Sequence, residues 1–205
     1  VGVGVSLDGP KIYNDAYRLD HKGKSTYQQT KNGIDLLRAA YDDKKIYSVG
    51  ALAVINPEFS AKKTYRHFVD ELGLKGMDFL LPDFTHDNFN FDHVYKYADF
   101  LIELYDAWVA DYKEVDVRIV SSLLSKLKGD FTNRLYGFSE RAVEDVAFTI
   151  QSDGTLAPDD ILRSTPLWKT FTAPHVNDTS LAEFLEHEFM IKLDKVSRTI
   201  PDACD

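Results

Sequence analysis

An α/β fold built on parallel strands, with a small α+β extension after it, is what this 205-residue sequence predicts. Three observations carry that prediction. The runs "VGVGVSL", "KIYSVGALAVI" and "MDFLLP" are short and largely apolar, as the buried strands of a parallel sheet are. The segments after them carry apolar residues at helical spacing. The resulting strand–helix–strand–helix–strand series makes a parallel sheet under the right-handed crossover rule.

The elements follow in order. Val3 to Leu7 make the first strand, and a long polar loop runs on to Lys24. Ser25, with Gln28 three residues later, forms a capping-box pattern and opens a helix. Tyr27, Thr30, Ile34, Leu37 and Tyr41 make its inward stripe. The second strand ends at Asn56 and Pro57. Ser60 caps the next helix, whose face is Ala61, Tyr65, Phe68 and Leu72 and whose end is Gly73. "MDFLLP" is the third strand. The longest helix is expected from His93 to Lys113, with a buried stripe of Val94, Tyr97, Leu101, Tyr105, Trp108 and Tyr112. "VRIVSSLLSKLKGD" reads as a short strand and a short helix ending at Gly129. "FTNRLYGFSE" is irregular, and "AFTIQSDGTLAPDD" is a hairpin about a Ser-Asp-Gly turn. One amphipathic helix capped by Ser180 closes the series. The division expected is a βα-repeat part at 1–129 and a mixed part at 130–205.

Composition bounds the function. A net charge of −9 disfavours a nucleic-acid surface, since phosphates are held by Lys and Arg. The local exception, "KKTYRH", reads as the solvated face of a helix. No run approaches the roughly 18 apolar residues of a membrane helix. The single cysteine, Cys204, excludes a disulfide framework within the chain and points to the cytoplasm. The chain starts on a strand with no initiator Met, so its first residue is expected not to be the first of the natural protein.

In parallel sheets, function gathers in the loops after the carboxyl ends of the strands. Those loops carry Ser6 and Asp8, then Asn56, then Asp83, Thr85, His86, Asp87 and Asn88. Ser6 either binds a ligand hydroxyl or carboxylate or caps its turn. Arg18 either pairs with Asp8 or clamps an anion. His86 and His93 with Asp87 and Asp92 offer metal-ligand types, but no HExxH, EF-hand or Cys/His spacing is present. Asp159 and Asp160 follow Pro158 as a carboxylate pair, either a solvated turn or an acid/base group with a raised pKa. There is no Gly-rich phosphate loop and no GxSxG elbow. These residues describe a pocket without its own reagent.

A resemblance supplies one. "VGVSLDGPKIYNDAYR…KGKSTY", "GIDLLRAA", "LAVINPE", "DFLLPDFTHDN", "ADFLIELYDAW" and "TIQSDGTLAPDD", in order along nearly the whole chain, resemble the radical S-adenosylmethionine enzymes. The likeness is to the peptide-modifying and sulfatase-maturating branch with a SPASM-type extension. It implies that the chain is the second half of a partial (β/α)6 TIM-like barrel with parallel strands, followed by the lead-in to an auxiliary-cluster domain. The family's CxxxCxxC motif, which holds its 4Fe-4S cluster, is absent from these residues, so the chain alone is expected to be inactive.

The resemblance also assigns roles. Ser6 matches a serine near the ribose or methionine part of the cofactor, and Asp8 and Arg18 match recurrent positions of the same motif. Asn56 stands on the same rim. Cys204 resembles the first ligand of the extension, and Asp160 a base that takes the substrate's proton. Where related enzymes place a cluster-ligating cysteine before that base, this chain has Asp159, as the peptide-crosslinking branch often does.

The function this implies is hydrogen abstraction from a side chain of a precursor peptide, giving a crosslink. Within the same class, the alternative is oxidation of a sulfatase Ser or Cys to formylglycine. S-adenosylmethionine, 4Fe-4S clusters, a peptide or protein substrate and an external electron donor are the expected partners, with no nucleic acid and no membrane. Two rivals remain: a cluster-free domain that binds a peptide or small molecule, and a metal-dependent hydrolase using the His86/His93 loop.

Overall fold

The computed structural model describes residues 1–85, 87–111, 114–130, 148–159, 162–163, 168 and 171–197. They fall into two units, one of residues 1–82 and 90–129, the other drawn from 83–89 and 130–205.

The first unit is built on four strands, β1 (Gly2–Ser6), β2 (Ser48–Val54), β3 (Gly76–Leu80) and β4 (Asp116–Val117). All three pairings are parallel, and the order across the sheet is the order along the chain. Between and after the strands come α1 (Lys11–Asn14), α2 (Tyr27–Asp42), α3 (Ala61–Arg66), α4 (Val94–Val109) and α5 (Arg118–Leu127). The α/β class and the parallel sheet agree with the sequence-based expectation.

Register sets the two faces of the sheet. Val5, Ala51, Met77 and Val117 lie in one row. Because side chains alternate, Leu7, Ala53, Ile55 and Phe79 share their face, and all four are buried. The helices cover this side. Phe79 meets Phe68 at 6.1 Å and Phe100 at 5.9 Å between ring centroids. The other face carries Gly4, Ser6 and Val54, which are exposed, and Leu52 and Leu80, which are partly so. Close approach of β2 to β3 requires Gly50, where a Cβ would stand 2.7 Å from the carbonyl oxygen of Gly76.

Local signals explain most of the elements. Ser60 caps α3 by accepting from the Lys63 N–H at 3.1 Å. Glu103 reaches over from α4, accepting from the Ser60 hydroxyl at 2.6 Å and the Ala61 N–H at 2.9 Å. A carboxylate there satisfies an orphan donor and complements the helix dipole. Ala61, Tyr65, Phe68 and Leu72 are all fully buried, as the spacing predicts. The helix continues as a π-turn, His67–Glu71, before it ends.

Other expectations need correction. Ser25 does not cap α2; Thr26 occupies the cap position. The Ser25 hydroxyl accepts weakly from the Tyr27 N–H at 3.3 Å and donates to Asp15 at 2.6 Å, while Gln28 donates to Asn32 instead. The Asp15 partner competes with the cap. The stripe of α4 is also rotated. Its buried residues are Phe100, Leu104, Ala107 and Trp108, whereas Val94 and Tyr105 are exposed. Both faces of this helix are apolar, so periodicity alone could not choose between them. The helix starts after a 3₁₀ turn, Phe91–His93, and ends at Val109; Tyr112 and Lys113 lie outside the described residues.

His67 offers a test of the packing. It is buried, and its Nε2 lies 2.9 Å from the Tyr27 hydroxyl. The Glu71 carboxylate stands 3.0 Å from Nδ1 but without hydrogen-bond geometry. Burial pushes the imidazole below its ordinary value of 6.5, outweighing the pull of Glu71 in the other direction. The unfolded chain therefore takes up the proton first, and stability is lost as pH falls below about 6.5 towards the folded value. Thermal melts between pH 8 and 5 should show a smaller pH-dependent loss in His67→Gln than in the wild type. Equal losses would contradict the buried, neutral histidine.

In the second unit, β5 (Phe148–Ile150) and β6 (Leu156–Pro158) form the expected antiparallel hairpin. Leu156, Phe184 and Met190 make its core, with Phe171 and Phe189 against them. The single terminal helix expected from the sequence is two, α6 (Leu181–Leu185) and α7 (Glu188–Ser197). Ser180 and Glu183 form a full capping box. Among the described residues, no helix is long and apolar enough to cross a membrane.

Candidate functional site

The loops after β1 and β2 converge at the C-terminal rim of the sheet. The chain leaves β1 at Ser6, and Leu7 donates its N–H to the Leu52 carbonyl at 3.0 Å. The turn that follows needs Gly9, whose φ of +118° is a conformation that side chains rarely adopt. A Cβ there would also stand 3.0 Å from Thr64 Oγ1. This turn aims Asp8 across to β2.

Asp8 is the hub. Its carboxylate accepts from Arg18 Nε at 2.5 Å and Nη2 at 3.0 Å, and from the Val54 N–H at 3.0 Å. The Asp8 side chain is nearly buried and that of Arg18 about a third exposed. One carboxylate thus ties the end of β2 to the loop after β1. Arg18 uses two of its five N–H donors in this pair. Thr26 adds a bond to the Arg18 carbonyl at 2.8 Å.

Asn56 closes the rim on the other side. Its Oδ1 accepts from the Glu58 N–H at 3.0 Å, which makes the turn after β2, and its Nδ2 donates to the Tyr17 hydroxyl at 3.1 Å. Arg18, next to Tyr17, therefore stands in the same cluster as Asn56. Ser6 lies on the exposed face of the sheet, and no hydrogen bond engages its hydroxyl among the described residues. Asn14, buried beneath the loop, leaves its Nδ2 without a partner there.

Sequence reading missed a second polar pair on this face. Asp78, in the middle of β3, is buried. Its carboxylate accepts from Arg118 Nε at 2.6 Å, is paired with Nη2 as well, and accepts from the Phe79 N–H at 3.0 Å. In register, Asp78 neighbours Leu52, and Leu52 neighbours Ser6. The available signal was an Asp inside an otherwise apolar strand, which a buried charge permits only with a partner.

Asp160, Cys204 and His86 lie outside the described residues. Asp159 is described, and its carbonyl accepts from the Leu162 N–H at 3.1 Å. His93 approaches the Asn90 amide at 3.4 Å. Among the described residues, no group of three or more His, Cys, Asp or Glu is placed to hold a metal ion. A cavity of about 400 Å³, lined by Arg66, Asp70, Gly73, Lys75, Asp111 and Glu114 among others, sits by the segments entering β3 and β4, not at the rim.

Comparison with known proteins gives a consistent result. No family model matches the chain. It is 32% identical over 175 residues to a cysteine-type anaerobic sulfatase-maturating enzyme of Clostridium novyi (strain NT), across 77% of this chain and 42% of the relative. It is 23% identical over 206 residues to the enzyme of the same name from Clostridium perfringens (strain 13 / Type A), across 95% of this chain and 53% of the relative. Among solved structures, native anSMEcpe with bound AdoMet superposes with a TM-score of 0.74 at 22% identity, covering 98% of this chain and 54% of that one. Native anSMEcpe with bound AdoMet and a peptide gives 0.72 at 22% identity, over 98% and 55%. These structural likenesses describe the fold. The chain spans about half the length of the curated relatives it matches.

Proposed function

We propose that this chain, a homologue of the cysteine-type anaerobic sulfatase-maturating enzymes and so of the radical S-adenosylmethionine group, is the rim-bearing half of a peptide or protein maturase. What supports the reading most is one combination: a sequentially ordered parallel sheet whose C-terminal rim carries Ser6, Asp8, Arg18 and Asn56, in a chain related to such an enzyme over most of its length. Sequential order with helices against one face is also the arrangement of a barrel segment. On this reading the exposed face of Gly4, Ser6, Leu52 and Leu80 is the lumen of a (β/α)6 barrel that further strands complete. Residues 1–129 are its second half, and 130–205 lead into an auxiliary-cluster domain with Cys204 as a ligand.

The residues present suit part of the cofactor. A Ser6 hydroxyl with no hydrogen-bond partner among the described residues, on an exposed face, and an Arg18 guanidinium at the same rim with donors left suit the ribose and the methionyl carboxylate of S-adenosylmethionine. A single cysteine, Cys204, does not make a cluster site, so on this reading the other cluster ligands belong to further parts of the protein. When bound and reduced, the cofactor supplies a hydrogen-abstracting radical. The work of this chain is to hold it: Ser6 donates to or accepts from the ribose, Arg18 pairs with the carboxylate, and Asp8 fixes Arg18 and the β2 end. Asn56 orders the next loop, and Asp160 takes a proton from the substrate. Holding the reacting centre within reach of one C–H bond is the main contribution of such a rim.

The substrate proposed is a cysteine or serine side chain of a sulfatase-like peptide, oxidised at its β-carbon; an external donor delivers the reducing electron. A second reading, crosslinking of a precursor peptide, rests on Asp159 standing where related enzymes have a cysteine. Titration of S-adenosylmethionine into the full-length protein tests the rim. Ser6→Ala should weaken binding by about tenfold, as loss of a hydrogen bond to a polar ligand does, with its melting temperature unchanged. Unchanged affinity would remove Ser6 from the cofactor site.

A further inference from the structure

Helix α4 carries an apolar seam that nothing in the proposed activity uses. Tyr95, Ala98, Ile102, Tyr105 and Val109 follow one another at spacings of three and four, the pattern of a coiled-coil core. All five are exposed, with Tyr95 at 78%, Ile102 at 59%, Tyr105 at 40% and Val109 at 38%. At 100° per residue, the seam lies roughly 170° around the helix from the buried face of Phe100, Leu104 and Ala107. It runs for about 21 Å. An outward helix face in a globular protein is ordinarily polar; this one is not.

Charge tells what fits the seam. Asp99 and Asp106 stand one position after Ala98 and Tyr105, and Asp92 stands one heptad earlier in the 3₁₀ turn. These are the flanking positions that choose a coiled-coil partner. No cation of the chain neutralises Asp99 or Asp106 among the described residues. Lys96 is engaged with Glu58 at 2.6 Å, and Glu103 is engaged in capping α3. The other flank offers no charge: Leu101 is half-buried and Trp108 belongs to the core.

Self-pairing is disfavoured on both geometries. An antiparallel pair sets one Asp row against the other, and a parallel pair sets each Asp against the uncharged flank of the second copy, desolvating it without a partner. An anionic membrane surface is repelled by the same row.

We propose that the α4 seam docks an amphipathic helix of a partner protein, one with apolar residues at heptad spacing and a Lys/Arg row facing Asp99 and Asp106. The mode is helix recognition through i, i+3, i+4 and i+7 anchors. The inference stands on α4 alone and does not rest on the maturase reading.

The test uses a fluorescein-labelled designed helix of about three heptads, with Leu in its seam and Lys at the flanks, against the full-length protein. A matched peptide with Glu at the flanks is the control. Fluorescence anisotropy should show saturable binding of the Lys peptide and at least tenfold weaker binding of the Glu peptide. Ile102→Asp should abolish binding, and the double variant Asp99→Asn with Asp106→Asn should weaken it by about three- to fivefold, as two exposed ion pairs would. Circular dichroism of Ile102→Asp checks that the fold is kept, and Ile102→Ala serves if it is not. No binding, or equal binding of both peptides, would overturn the proposal. So would a dimer in sedimentation that Ile102→Asp dissociates, since the seam would then belong to a second copy.

Discussion

Replacing Asp160 with Asn in the full-length protein is expected to stop product formation while leaving reductive cleavage of S-adenosylmethionine close to wild type. The reason is a division of labour. On the proposed function, cleavage of the cofactor draws on the cluster and the rim, whereas Asp160 acts on the substrate. A carboxamide keeps the shape of the carboxylate but cannot take a proton, and loss of general-base assistance costs about 10²–10⁴ in rate. The residue follows the hairpin of β5 and β6, whose second strand, Leu156–Pro158, is buried throughout. Mass spectrometry of a Cys-containing peptide, with deoxyadenosine measured in the same reaction, separates the two steps. Normal product yield from Asp160→Asn would reject it as the base; parallel loss of both products would mean that it supports the fold or the cofactor instead.

The second large effect concerns the rim itself. Asp8→Ala removes two bonds to Arg18 and one from the Val54 N–H, and leaves a guanidinium without its partner. Breaking a buried pair from one side costs about 3–5 kcal/mol. Arg18 is partly hydrated, so about 2–3 kcal/mol is the expected loss here. For a chain of this size that lowers the melting temperature by roughly 4–12 °C. Asp8→Asn keeps an acceptor for Val54 but loses the charge, and should fall between. A melting point for Asp8→Ala within about 1 °C of wild type would show that the clamp does not hold the rim together.

Much of this was legible in the residues because local chemistry and global fold agree there. The apolar strands, the Ser60 cap with its fully buried stripe, and the Ser-Asp-Gly hairpin each follow from short-range rules that tertiary packing reinforces. The failures have physical causes. Ser25 found Asp15 as a partner, which no spacing rule contains. The expected stripe of α4 is misplaced because Val94, Leu101 and Tyr105, which it takes in, are as apolar as the residues that face the core. Asp78 and Arg118 pair across 40 residues of sequence, so only the fold brings them together. At the rim, Asp8 and Arg18 were visible as a possible pair, but the bond from Asp8 to the end of β2 was not. That bond links elements 46 residues apart.

The central claim is that this chain is part of a radical S-adenosylmethionine enzyme. It is tested most directly on the full-length gene product, purified and reconstituted without oxygen, by measuring iron, acid-labile sulfide and deoxyadenosine release on adding reductant and S-adenosylmethionine. The account predicts at least one four-iron cluster per chain and reductant-dependent deoxyadenosine, reduced in Ser6→Ala. A protein that binds no iron and releases no deoxyadenosine would contradict it, and would leave a rim that binds a small molecule or peptide without radical chemistry.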